Sequence, residues 1–222
     1  AHLPPLLFAA LRFTCSLLPA VLLLKRPDVP WRNLAAYGLL VGAGQFGILY
    51  IAMNGHVTPG LASLVVQTQV FFTIGLAALI SGERVRPFQA MALMITLAGL
   101  GIILLHTDGH TTAPGLALVL AAAAAWAGSN IVVRATPGVD MVAYVVWASL
   151  FAVPPLFAFS FAFEGWPAIR DGLAHADAAT WAAVLWQAIG NTMFGYAAWA
   201  WLLSRYPVAT VAPMALLVPV FG

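Results

Sequence analysis

The sequence predicts an all-α polytopic membrane protein with about eight transmembrane helices in this chain, and three observations carry that prediction. Charge is scarce: 63% of residues are hydrophobic and only 7% charged, far too little charge to cover the outside of a water-soluble domain. The apolar residues come in long unbroken runs of the roughly 20 residues that crossing a bilayer requires, not the short alternating segments of a β-barrel. Finally, short motifs return at one spacing, which is the mark of an internal repeat.

Seven complete spans are expected near residues 6–24, 34–53, 61–80, 88–105, 115–133, 141–163 and 181–203, and an eighth begins near Val208. The connections carry the breakers: Pro27 and Pro30, Thr58-Pro59-Gly60, Ser81-Gly82-Glu83, Pro114, and Pro137-Gly138. Only 164–180 is long. With Glu164, Arg170, Asp171, His175 and Asp177 it reads as a polar loop carrying a short amphipathic helix on the surface.

The basic residues orient the spans. Lys25, Arg26, Arg32, Arg84, Arg86, Arg134 and Arg205 fall in or beside the loops after spans one, three, five and seven, whereas the intervening loops hold only Arg170. Positive loops face the cytoplasm. The N-terminal end of the first span is therefore expected outside. The basic balance reflects these loops and not an affinity for nucleic acid. The chain starts at Ala1 and stops inside an apolar run, so it is expected to be part of a longer protein.

The repeat is legible by eye. Phe46-Gly47 returns as Phe194-Gly195 and Pro59 as Pro207, all at an offset of 148, while Leu18-Pro19 matches Val153-Pro154 at 135. Spans one to four then match spans five to eight, shifted by an extra helix on each side. With five helices per unit the two halves have opposite topology, as in many secondary transporters.

Polar residues inside spans each need a reason. Gln67 and Gln69 are two apart and cannot share a helix face. One is expected to line a cavity and the other to bond a neighbouring helix, and periodicity leaves open which is which. Gln187, Asn191, Gly195 and Trp199 fall at successive i+4 steps and read as one stripe, with Thr192 and Tyr196 beside it. That stripe is either cavity lining for a polar organic substrate or a packing seam. Trp126 and Asn130 pair at i+4 after Ala121–Ala125, a run that implies close helix packing. Gln45 lies among Gly38, Gly42, Gly44 and Gly47, where Gly38 and Gly42 form a packing step. Arg12 is the basic residue well inside a span. It either snorkels outward or holds a substrate carboxylate through a bidentate pair.

No Asp or Glu lies in the middle of a span, so no carboxylate proton relay is evident. H-E-x-x-H, G-x-S-x-G and phosphate-loop motifs are absent, and Cys15 is alone. The five histidines do not converge as ligands. No enzyme activity, metal, cofactor or nucleotide-binding subunit is expected. The expected partners are the lipid bilayer and a small polar organic substrate.

Several stretches in order resemble the EamA family of the drug/metabolite transporter superfamily. They are Leu11-Arg12-Phe13, Gln45-Phe46, Pro59 through Thr73 with both glutamines, Gly82-Glu83-Arg84, Trp126 with Gly128 to Asn130, Trp147-Ala148-Ser149-Leu150, Gly195-Tyr196, Arg205-Tyr206, and Val211-Ala212-Pro213. The resemblance implies ten helices in two inverted repeats of five. Residues 1–110 would form the first repeat without its first helix. Residues 111–222 would form the second, cut within its fourth helix and lacking its fifth. It further implies a multi-pass protein of the bacterial inner membrane, with a central cavity that opens alternately to each side. The cargo would be small amino-acid metabolites of the cysteine and O-acetylserine kind, carried outward; the alternatives are the same fold with another cargo (drugs, purines or other amino acids) and a non-transporting membrane scaffold. The expected substrate contacts are Arg12, Gln45, Gln67, Gln69, Trp126, Asn130, Trp147, Asn191 and Tyr196.

Overall fold

A computed structural model describes residues 3–81, 87–105 and 111–217. The described residues are helical throughout, without a strand. Helix α1 (Pro5–Leu17) ends at Leu18-Pro19, and the single turn α2 (Ala20–Leu23) completes that span. Helix α3 (Trp31–Met53) contains a wide π segment at Leu40–Gly47. Helix α4 starts at Pro59 under the cap of Thr58, tightens to a 3-10 turn at Val66–Thr68, and continues as Gln69–Ser81. Helices α5 (Pro87–Leu105), α6 (Ala113–Arg134) and α7 (Met141–Phe159) follow. Helix α8 (Gly165–Ala174) is the short amphipathic helix expected between spans. Helix α9 comprises Ala178–Trp186, a π segment at Gln187–Gly195, and Tyr196–Arg205, before the turn α10 (Val208–Val211) and a 3-10 stretch Ala212–Leu217.

Five of these elements are long and apolar enough to cross a membrane: Pro5–Leu23, Trp31–Met53, Pro59–Ile80, Ala113–Arg134 and Met141–Ala174. The α9 helix has the length but carries Gln187, Asn191 and Thr192 near its middle, which lower its hydropathy. Outward faces present large apolar groups such as Leu22, Leu79 and Phe194, at 80%, 84% and 74% exposure. In water such a surface would drive aggregation; in lipid it is simply solvated.

Small residues set the helix contacts, because burial alone does not drive helices together in lipid. A side chain added at Gly42 would meet Ala152 Cβ of α7 at 2.6 Å, and one at Gly44 would meet Ala125 Cβ of α6 at 2.6 Å. At Gly38 an added side chain would meet the backbone carbonyl of Ala148 more closely still. The expected packing roles of Gly38-x-x-x-Gly42 and of the alanine run therefore hold, with Ala122 and Ala123 fully buried.

The ends of the helices sort onto two faces. On one face Trp147 Nε1 donates to Leu24 O (3.2 Å), and the Tyr144 hydroxyl donates to Asn33 Oδ1 (2.6 Å). This gathers the Lys25-Arg26 loop, the start of α3 and the start of α7, and Asn33 Nδ2 donates to Val132 O at the end of α6 (3.4 Å). On the other, Glu164 accepts from Leu6 N (2.6 Å), Leu7 N (3.0 Å) and the Ser160 hydroxyl (2.7 Å). A carboxylate there satisfies orphan donors at the positive end of the α1 dipole. Sequence reasoning had Glu164 as a loop residue; it is instead a cap reaching across 158 positions.

The repeat is visible in the backbone. Both π segments end on the Phe-Gly pairs at Gly47 and Gly195, and each is followed after a turn by a proline that starts a short helix tightening to 3-10 geometry. Helix α3 leaves the basic face and α9 returns to it, so the matched elements run in opposite directions. The Leu18-Pro19 match is looser. The first proline breaks its helix, while Pro154 and Pro155 lie within continuous α7.

Candidate functional site

The π segments decide which polar side chains meet. An α-helical reading placed Gln187, Asn191, Gly195 and Trp199 on one stripe, but the wider turn rotates everything beyond Gln187, and Thr192 Oγ1 bonds the carbonyl five residues back (3.0 Å). Asn191 is exposed and donates to Gln187 Oε1 of its own helix (2.7 Å). Trp199 turns inward. Its Nε1 donates to Asn130 Oδ1 of α6 at 3.0 Å.

Asn130 is the hub of one polar group. Its Nδ2 donates to Thr73 Oγ1 (3.1 Å) and Gln69 Oε1 (3.3 Å), and Thr73 Oγ1 also contacts Gln69 Oε1 (3.2 Å). Gln69 and Thr73 are fully buried and Asn130 is 2% exposed. This group ties α4, α6 and α9 together. Gln69 is thus the glutamine that bonds a neighbouring helix. Gln67 is buried with its Oε1 unpartnered, and Trp126 packs on the apolar cluster of Ala52, Val65, Val66, Val119 and Ala123.

A second group joins α1, α3 and α9. Arg12 is buried, with its Cζ 4.1 Å from the Phe46 ring centre and 4.7 Å from that of Phe13. It does not snorkel: its Nε and Nη2 are enclosed and without a hydrogen-bond partner. Gln45 is likewise buried with Oε1 unpartnered. Both side chains come within polar reach of the Tyr196 hydroxyl. Phe46 packs edge-on against Phe13 and Tyr196, at ring separations of 5.8 and 6.3 Å.

Of the expected contacts, the structure therefore gathers Gln69 with Asn130, and Arg12 with Gln45 and Tyr196. Trp147 does not join either group, because its indole N–H is spent on Leu24 O at the basic face and its ring packs on Trp31. Asn191 does not join them because of the π turn. Sequence reasoning left out Thr73, Phe13 and Phe46 as members. Thr73 sits one turn after Gln69, a spacing that signals the contact, whereas nothing local signals Phe46 over Arg12.

Two spaces are lined by described residues, one inside the bundle and one at its edge. A void of about 10 Å³ beside the second group is lined by Phe13, Tyr37, Gly38, Val41, Val145, Ala148, Ser149, Ala152 and Tyr196. A cleft of about 510 Å³ lies at the basic face between Gly138–Val142 and the α9 residues Ala197, Ala198, Trp201, Ser204 and Arg205. It touches neither polar group, so its size does not mark the chemistry. Among the described residues no cluster of His, Cys, Asp and Glu has the makings of a metal site.

The profile of the EamA-like transporter family matches residues 1–105 and 113–222. The chain belongs to the EamA-like transporter family. A probable amino-acid metabolite efflux pump of Salmonella typhimurium is 37% identical over 227 residues, covering all of this chain and 76% of that protein. A probable terminal-alkyne amino-acid exporter of Streptantibioticus cattleyicolor is 27% identical over 193 residues, covering 84% of this chain and 58% of its own length. A crystal structure 18% identical in sequence superposes with a TM-score of 0.66 over 99% of this chain and 80% of that one, a likeness of fold. This EamA protein is accordingly a multi-pass membrane transporter and not an enzyme, and its exposed apolar belt, glycine seams and buried polar groups are those of a helical carrier.

Proposed function

We propose that the complete protein is a secondary transporter that exports small amino-acid metabolites, of the cysteine and O-acetylserine kind, across the bacterial inner membrane by alternating access. The observation that carries this reading is the buried pair Arg12 and Gln45, each with unpartnered polar atoms, beside the half-buried Tyr196, contributed by α1 and α3 of one expected repeat and α9 of the other. Polar groups at that depth are costly unless something pairs with them, and a zwitterion supplies both kinds of partner. Amino-acid wording in the names of two relatives of separate organisms points the same way. An all-helical apolar bundle suits the inner membrane, since outer-membrane spanners are β-barrels.

In this arrangement residues 1–110 and 111–222 act as two oppositely oriented repeats that rock about the polar interior. The interior void holds about 10 Å³, near the lower limit for a single water, so binding requires α1 to part from α3 and α9. Overexpression of the complete protein should raise extracellular cysteine or O-acetylserine several-fold over a vector control. Unchanged extracellular levels of both, with the protein present in the membrane, would refute this cargo. The aromatic walls of Phe13, Phe46, Tyr50 and Tyr196 favour a second reading, the same carrier with a more hydrophobic cargo. Resistance to a panel of toxic amino-acid, purine and drug analogues separates the two.

A further inference from the structure

Arg12 is 3% exposed, two turns into α1, with Nε and Nη2 unpartnered. A guanidinium is a cation, and an unpaired charge in apolar surroundings is costly. The faces of Phe13 and Phe46, 4.7 and 4.1 Å from Cζ, offset part of that cost. The rings offer no acceptor lone pair to Nε or Nη2, which remain without a hydrogen-bond partner. The N–H edge, which forms two parallel bonds to a carboxylate, stays empty. Beside it Gln45, 4% exposed, has an Oε1 that accepts nothing, and the Tyr196 hydroxyl is in polar reach of both side chains. Two enclosed donors on Arg12 and one enclosed acceptor on Gln45 thus lie around one hydroxyl without hydrogen-bond partners.

We propose that Arg12, Gln45 and Tyr196 form a head-group subsite in which Arg12 Nε and Nη2 take the carboxylate of an α-amino acid and Gln45 Oε1 takes its ammonium. This rests on the exporter reading and narrows it to substrates with a free carboxylate. The Asn130 group plays a different part. Its bonds already run helix to helix, and it pins α4, α6 and α9. Binding involves no covalent step: the ligand's charges replace water with the fork of Arg12 and the amide of Gln45.

The test uses the complete transporter, purified in detergent, with the thermal midpoint titrated against S-methyl-L-cysteine, its methyl ester, and propionate. The acid should bind wild type at least about tenfold more tightly than the ester, because the ester cannot accept a charge-assisted pair. Arg12→Gln should weaken the acid roughly 10- to 100-fold, the span covered by losing hydrogen bonds to a charged group, and leave ester affinity near its wild-type value. Arg12→Lys should fall between, retaining charge without the fork. Equal binding of acid and ester to wild type would overturn the subsite, and that comparison needs no variant to fold. Protection by propionate but by no amino acid would keep the carboxylate subsite and remove the amino-acid reading. Protection by neither acid refutes the subsite, while efflux from cells decides the exporter reading separately.

Discussion

Two polar groups lie in the same bundle and end in opposite states. Gln69, Thr73, Asn130 and Trp199 face one another across three helices, and their bonds of 3.0 to 3.3 Å use most of what they can donate and accept, leaving only Gln69 Nε2 over. Arg12 and Gln45 are as deeply enclosed, yet Nε, Nη2 and Oε1 remain over, with the rings of Phe13 and Phe46 packed near the guanidinium. Burial is common to both, so burial does not distinguish a site from a strut. What distinguishes them is unused hydrogen-bonding capacity. A closed network rigidifies; an open one is costly until a ligand completes it.

Substitutions sharpen that contrast. The largest effect on transport should come from the open group: Gln45→Leu removes the ammonium acceptor and should cut efflux of amino-acid substrate about tenfold, in line with one lost bond to a charge. Efflux per membrane-inserted transporter measures it, and an unchanged rate would break the contrast. Asn130→Ala strips the closed group of its hub and should lower the stability of the complete protein by about 1–3 kcal/mol, the cost of stranding buried partners. Trp199→Phe deletes a single donor and should cost about 1 kcal/mol. Smallest is Glu164→Gln at the end of the bundle. Its amide keeps one acceptor oxygen where the carboxylate offers two to Leu6 N and Leu7 N, and it loses the charge that favours the α1 dipole, a cap loss of about 0.5–1 kcal/mol where solvent reaches the freed amide. Thermal unfolding in detergent ranks all three. A Glu164→Gln loss exceeding that of Asn130→Ala would reverse the assignment of strut and cap.

The bundle itself was legible because its causes are local. Run length, the positive loops, the Gly38-x-x-x-Gly42 step and the alanine run each act over a few turns, and the structure keeps them. Half of the repeat was legible too, through Phe46-Gly47 and Phe194-Gly195, although nothing in those letters announces that each pair closes a π segment. That omission explains the misread stripe. One wide turn moves Asn191 outward while Trp199 faces Asn130, and i+4 counting has no means of seeing it. The partition of the polar residues was not legible at all. Whether Gln69 or Gln67 finds a partner depends on Asn130, 61 positions away from Gln69, and whether Arg12 snorkels depends on Phe46 covering it. Glu164 is the extreme case, a residue in a polar run whose partners sit at the start of the chain.

The most direct test is substrate protection of single cysteines. With Cys15 changed to Ser in the complete transporter, Gln45→Cys and Gln69→Cys are compared for labelling by a small membrane-impermeant thiol reagent, with and without saturating S-methyl-L-cysteine. Position 45 should be labelled during turnover and substrate should slow that labelling several-fold, while labelling at position 69 should not respond to substrate. Protection at 69 with none at 45 would contradict it, and would make the closed group the site and the open one the strut.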